Sequence, residues 1–287
     1  VNGNQIAILR VNANGSVDQG FDMDGLVTTN SVQFSESPSA TCVAVRPDSS
    51  VLVGTESQNN AFGRIVRFQE DGSRDTAFTF TTGNPPSGRF TAIHSLPQGA
   101  VVATGTSNLT SPPSPHAAKL QPSGAPDMNF APGGIKNYSA NAYGCSGSGG
   151  AMTANGDFFI VGTSIASPIS CELRIGGDGS FKWFKSDGAP QGQVPGAAAG
   201  PNDGTYTAGW VGGSQDKRGF IKKRDAMGNL DATFAQGGEA KFEDPNTPDQ
   251  FLIAFAAVTT LPDGRVVAVG QRRFSSSPGA IIYRLWF

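Results

Sequence analysis

A chain of 287 residues with a formal net charge of −2 and only 15% charged residues has no electrostatic footprint for nucleic acid or an anionic membrane, its longest basic run being Lys222-Lys223-Arg224. Glycine (38) and proline (19) make up about a fifth of the residues, and no run of 18 apolar residues is present. Helical membrane spans and an α-helical fold are therefore excluded in favour of many short strands and turns.

In chain order, Ile6-Ala7-Ile8-Leu9-Arg10 reads as a strand entering a turn at Asn14-Gly15-Ser16, followed by Asp18 and Phe21 and by a strand at Leu26–Thr28. An apolar hairpin comes next, Val43-Ala44-Val45 and Leu52-Val53-Gly54, turning at Asp48-Ser49-Ser50. The first motif returns as Arg64–Phe68 into Asp71-Gly72-Ser73 with Asp75 and Phe78. The hairpin returns at Ala92-Ile93 and Val101-Val102, turning at Gln98-Gly99 and closing at Gly105. Later strand-and-turn copies are Ala118–Leu120 with Ser123-Gly124, Asp127 and Phe130, and Phe220–Lys222 with Met227-Gly228-Asn229, Asp231 and Phe234. A degenerate copy is Glu172–Arg174 with Asp178-Gly179-Ser180, where Lys182 stands in place of the Asp. Later hairpins turn at Asn155-Gly156, Asp203-Gly204 and Asp263-Gly264, dipeptides that supply the positive φ of tight turns. The repeated Asp at 18, 75, 127 and 231 caps its own turn, and the Phe three residues on packs between repeats.

The turn glycines 15, 72, 124, 179 and 228 recur every 49 to 57 residues, so each repeat holds about four strands, the content of one propeller blade. The expectation is an all-β protein, a single β-propeller domain over residues 1–287 with about five four-stranded blades. Closing the ring removes exposed edges. A solenoid has shorter repeats, and a sandwich has none. In this reading the last blade takes three strands from Ala254–Thr260, Arg265–Gly270 and Ala280–Phe287, and its fourth from near Leu26–Thr29, so the N- and C-terminal strands share one blade. One strand is surplus, because Gln5–Arg10 and Ile281–Trp286 both look like a third strand. Either that blade is over-complete or the chain is cut from a longer array.

The pattern carried by Val11 to Phe21 with Val43 to Gly54, and again by Ala257 to Gly270, resembles the delta-60 repeat of exported bacterial proteins. The resemblance covers nearly the whole chain and is weakest around Gly196-Ala197-Ala198-Ala199. It implies a propeller-like fold and a surface or extracellular location, and it supplies no catalytic residues. The Lys-poor composition and the start at Val1 agree with a secreted, periplasmic or cell-surface bacterial protein whose targeting segment has been removed.

The short Gly-bearing turns define one face of the blades. Long irregular loops define the other, where binding on a rigid scaffold resides. Aromatic residues outside the repeat, Tyr138, Tyr143, Trp210, Phe251 and Phe274, fall in or beside those loops with Arg89, Lys217, Arg218, Arg272 and Arg273. Together they form the candidate binding surface. No catalytic motif is present. His94 and His116 read as structural, and the inner-strand starts carry no acidic residue for a channel metal, so no metal or cofactor is expected. Asp22-Met23-Asp24-Gly25 lacks the later Glu of a calcium loop and reads as a turn. Of Cys42, Cys145 and Cys171, the last two fall in one repeat and either pair, as an oxidising compartment permits, or all three are buried thiols. The sequence reading is a monomeric, non-enzymatic exported adhesion module that binds protein or glycan through its long-loop face. The alternatives are a propeller hydrolase or lyase of the lactonase or glycosidase kind, and a structural segment of a large surface protein.

Overall fold

The computed structural model describes residues 6–29, 38–57, 63–81, 88–107, 113–139, 144–164, 170–187, 192–212, 218–242, 252–274 and 277–285. Contacts divide the chain into two compact units, Val1–Leu109 with His116–Asn137, and Thr110–Pro115 with Tyr138–Phe287.

The first unit holds a two-stranded sheet, β1 (Ile6–Leu9) and β2 (Leu26–Thr29). Two four-stranded antiparallel sheets follow: β3 (Pro38–Val45), β4 (Val51–Ser57), β5 (Gly63–Phe68) and β6 (Arg74–Thr81), then β7 (Gly88–Ser95), β8 (Val101–Ser107), β9 (Ser114–Leu120) and β10 (Ile135–Asn137). The second unit holds β11 (Cys145–Met152), β12 (Phe158–Ser164), β13 (Ser170–Ile175) and β14 (Phe181–Asp187), and a second four-stranded sheet of β15 (Gly192–Ala199), β16 (Thr205–Val211), β17 (Arg218–Arg224) and β18 (Glu239–Phe242). A three-stranded sheet of β19 (Leu252–Thr260), β20 (Val266–Phe274) and β21 (Ser277–Leu285) completes it. These are propeller-like blades, each a meander, and no helix among the described residues is long and apolar enough to cross a membrane. Five four-stranded blades with a shared closing blade are not what the described residues form: β2 pairs with β1, in register Leu9↔Leu26, and β21 pairs with β20. The short connection from β1 to β2 makes that pairing entropically cheap, so β2 is used locally.

One device recurs in every inner hairpin. The first strand of each four- or three-stranded sheet carries a bulge, at Thr41, Thr91, Ser148, Pro195 and Ala256. Opposite the residue before the bulge the second strand carries Gly105, Gly162, Gly209 or Gly270. A side chain there would fall on the carbonyl oxygen of Arg89, Ser146, Gln193 or Ala254. In β4 the glycine stands one residue earlier, at Gly54, and Thr55 takes the position. The bulge hydroxyls cap the loosened ladder, Thr41 Oγ1 donating to the Gly54 carbonyl at 3.0 Å.

A second device holds the outer turns. Asp18 accepts the Gly20 N–H at 3.0 Å and pairs with Arg10 Nε at 2.7 Å, while the Arg10 guanidinium lies 4.7 Å over the buried Phe21 ring. Arg67, Asp75 and Phe78 repeat it, with Arg67 Nε 2.8 Å from Asp75 Oδ2 and 4.8 Å above the ring; Lys119, Asp127 and Phe130 do so more loosely. Lys223 bonds Asp231 at 2.6 Å and, with Thr233, holds its carboxyl down at about 2. In the degenerate copy Arg174, lacking a turn Asp, pairs instead with Asp157 at 2.8 Å. Several of these arginines also reach the turn of the following sheet: Arg10 donates to the Glu70 carbonyl at 2.7 Å, Arg67 to Pro122 at 3.5 Å and Arg174 to Ala226 at 3.0 Å.

The sheets stack through apolar faces. Leu52, Ile65 and Phe78 of the β3–β6 sheet bury Ile93, Val101 and Leu120 of the β7–β10 sheet. Tyr206, Ile221 and Phe234 bury Phe255, Val258 and Ala268. Between the β11–β14 and β15–β18 sheets the stacking is partly ionic: Glu172 pairs with Arg224 and accepts the Thr207 hydroxyl at 3.2 Å, all buried. Cys145 and Cys171 are joined, with an S–S distance of 1.98 Å, and tie β11 to β13. Cys42 is free, its thiol pushed up to about 11 by burial. The Asp203-Gly204 turn is shifted by one residue, the positive φ values falling on Asn202 (53°) and Asp203 (56°).

Three stability changes follow. Gly162→Ala, with no room for a Cβ, lowers stability by at least about 1–3 kcal/mol. Ser49→Gly raises it by roughly 0.5–1 kcal/mol, because Ser49 sits at φ 62° where three of the other hairpins place Gly99, Gly156 and Gly264. Reduction of the disulfide, which spans a sequence separation of 26, costs about 3–4 kcal/mol. Thermal melts of the variants and of the wild type with and without reductant check all three.

Candidate functional site at the long-loop ends of the inner hairpins

Fixing the bulge fixes a layer of side chains just beyond it, towards the long loops. In each hairpin one residue of the first strand faces one of the second: Ser39↔Glu56 and Arg89↔Thr106 in the first unit, Ser146↔Thr163, Gln193↔Trp210 and Ala254↔Gln271 in the second. The flanking positions repeat while this layer varies, the pattern expected where a scaffold carries chemistry.

In the first unit Glu56 and Arg89 approach each other, Arg89 Nη1 standing 3.9 Å from Glu56 Oε2. Arg89 is exposed and Glu56 half-buried, and Glu56 Oε2 has no hydrogen-bond partner. On β9 His116 is buried edge-on to Phe90, with ring centroids 5.1 Å apart, and packs against Gly88, where a Cβ would come within 2.8 Å of His116 Cε1. Burial alone pulls its imidazole down to about 4, and Nε2 has no partner. His94 is lowered by burial as well. Both are neutral near pH 7.

In the second unit Trp210 is half-buried on β16, and Arg218 opens β17 exposed, paired with Val211. Neighbouring inner strands of this unit approach closely beside their bulges: Ser148 Oγ donates to the Val194 carbonyl at 2.7 Å, and a Cβ on Gly196 would lie 2.9 Å from the Ala257 backbone. The run of small residues at 196–199 permits that approach. Among the described residues no three His, Cys, Asp or Glu side chains converge to hold a metal.

The residues singled out from sequence separate accordingly. Arg89 and Trp210 belong to the layer, and Arg218 lies beside it. Arg272, Arg273 and Phe274 are in β20, with only their backbone described. Tyr143, Lys217 and Phe251 lie outside the described residues. Tyr138 is not a surface residue: it is 1% exposed, and its hydroxyl donates to the Gly179 carbonyl at 3.0 Å. Adjacency to a long loop suggested exposure, but the ring is spent on packing. Glu56 was missed because it closes an apolar strand and reads as the first loop residue. The signal was its place one step past the recurrent hairpin position that glycine usually fills.

A family model described as "Domain of unknown function (DUF5122) beta-propeller" matches residues 1–21 and 46–78, spanning the first two copies of the strand-and-turn motif. It is a β-propeller family, in keeping with the fold that the delta-60 resemblance implies. A search of the curated proteins finds no match. Among solved structures, a polysaccharide lyase, "PL25-Ulvanlyase bound to -[GlcA(1-4)Rha3S]-", is similar at 8% identity and a TM-score of 0.53, over 84% of this chain and 67% of that one. An exo-beta-1,3-galactanase from Phanerochaete chrysosporium is similar at 11% identity and a TM-score of 0.47, over 99% and 65%. At these identities the likeness shows the fold. It also overturns the expectation of a non-enzymatic binding module, because the similar structure with a TM-score above 0.5 is a polysaccharide lyase.

His116 makes acid stability a test of this geometry. Its folded value lies below the ordinary 6.5, so it stabilises the fold fully above pH 6.5 and loses that contribution as pH falls towards 4. The loss amounts to roughly 3 kcal/mol. Denaturant melts from pH 7 to pH 4 show that slope in the wild type, and His116→Phe flattens it.

Proposed function

We infer that this chain is a carbohydrate-active enzyme of the hydrolase or lyase kind, exported, acting on a polysaccharide at the long-loop ends of its blades. The observation that carries the reading is the Glu56–Arg89 pair, a half-buried carboxylate whose Oε2 accepts no hydrogen bond and lies 3.9 Å from an exposed guanidinium. It lies in the variable layer of a fold whose similar solved structures include a polysaccharide lyase. The Cys145–Cys171 disulfide supports export to an oxidising compartment.

Of the two chemistries the layer favours elimination. Glycoside hydrolysis ordinarily uses two carboxylates flanking the scissile bond. Among the described side chains of the layer there is one carboxylate, Glu56, and it is paired with a cation. Elimination from an acidic sugar needs a base to take the proton next to the sugar carboxylate and a cation to stabilise the charge that develops, while the glycosidic C–O bond breaks, the double bond forms and the departing oxygen takes a proton from water. Glu56 fits the first role and Arg89 the second.

A panel of acidic and neutral polysaccharides, followed by the ultraviolet absorbance of unsaturated products and by reducing ends, tests this reading. The expected result is cleavage of an acidic polysaccharide with unsaturated ends. Glu56→Gln lowers kcat/KM by about 100- to 10,000-fold with little change in melting temperature. Cleavage that survives Glu56→Gln removes Glu56 from the role of base, and no cleavage of any polysaccharide removes the reading.

A further inference from the structure

Sheet stacking in this chain follows one rule of register. Thr41 and Thr91 are the bulge residues of β3 and β7, so Val43 and Ile93 hold the same position two residues on. Ile93 is 5% exposed, packed in one cluster with Leu52 and Ile65 of the preceding sheet. Val43 is 62% exposed and Val45 is 66% exposed. They share a sheet face with the residues opposite them on β4, Val53 and Val51, which are buried in the cluster that Ile6 and Val27 of β1 and β2 complete. Two strands cover only half of that face.

The β19–β21 sheet has the matching deficit. Its Ile282 is the counterpart of Ile65: each faces the second-strand residue that pairs with the first position past the bulge, Gly54 with Cys42 in one sheet and Val269 with Ala257 in the other. Ile65 is fully buried, whereas Ile282 is 75% exposed and Val269 36% exposed. The opposite face of the same sheet is packed, with Phe255, Val266 and Ala268 in the core and Ile281 and Tyr283 against it.

We propose that these faces are the two halves of one self-association surface, the Ile282 and Val269 face of one copy stacking on the Val43 and Val45 face of a second copy. The contact continues the sheet-on-sheet interface already present, Ile282 taking the place of Ile65 and Val43 the place of Ile93. Each copy shows both halves on its surface, so a second copy supplies to each what it lacks. The two patches differ, so the contact is head-to-tail and permits chains longer than a dimer.

Sedimentation velocity of the full chain from micromolar to millimolar concentration tests the proposal. The wild type associates with rising concentration. Ile282→Lys and Val43→Lys, each changing one exposed side chain and melting within a few degrees of the wild type, are monomeric alone, because every contact needs one patch of each kind. Mixed at equal concentration they form a dimer and nothing larger, since one variant keeps the first patch and the other the second. A wild type that stays monomeric, a single variant that still associates, or a mixture that stays monomeric while the wild type associates each overturns the proposal.

Discussion

The bulge in each inner strand is the constraint on which the rest depends. It pushes one backbone carbonyl towards the neighbouring strand, and only a residue without a Cβ tolerates that approach at Gly105, Gly162, Gly209 and Gly270. Once the bulge is placed, every later residue of the hairpin has its face assigned, because side chains alternate strictly along a strand. The stacking residues Ile65 and Ile93, the Glu56–Arg89 layer and the exposed Ile282 all take their positions from that one irregularity. Gly54, displaced by a residue, puts Thr55 at the position where the other hairpins carry glycine, which shows that the backbone, not the glycine, sets the register.

The outer half of each blade obeys a different logic. Cation, carboxylate and phenyl ring form a triad in which the ring gives the guanidinium an apolar floor and the carboxylate a charged partner, while the same carboxylate closes the turn. The arrangement costs little desolvation because both charges stay partly exposed, unlike Glu172 and Arg224, which are buried and are compensated by each other, with the Thr207 hydroxyl on Glu172 and the Gly228 carbonyl on Arg224 among their partners.

Much of this was legible in the sequence. The period, the four-strand meander, the turn-capping Asp18, Asp75, Asp127 and Asp231, and the packed Phe21, Phe78, Phe130 and Phe234 follow from spacing and residue type. What was not legible depends on competition or depth. Leu26–Thr29 suits either of two partners by composition, and the pairing is decided by the short loop to β1. Tyr138 looked like a surface ring because only the fold shows that its hydroxyl meets the Gly179 carbonyl. The Arg10 and Arg67 pairs with Asp18 and Asp75 went unread, although their constant separation of eight residues was available. Glu56 is hidden by an ordinary apolar strand, and its meaning emerges only when the hairpins are aligned on their bulges.

The arginine bonds between sheets give the chain a direction. Arg10, Arg67 and Arg174 each donate to a carbonyl that lies later in the sequence, 52 to 60 residues downstream. For a polypeptide that emerges N-terminus first, each of these three arginines gains its forward acceptor only once the following sheet has been made. Mechanical load inherits the same asymmetry. Tension applied at the C-terminal end removes acceptors and frees one arginine at a time, whereas tension at the N-terminal end must first extract a side chain held by its own aspartate.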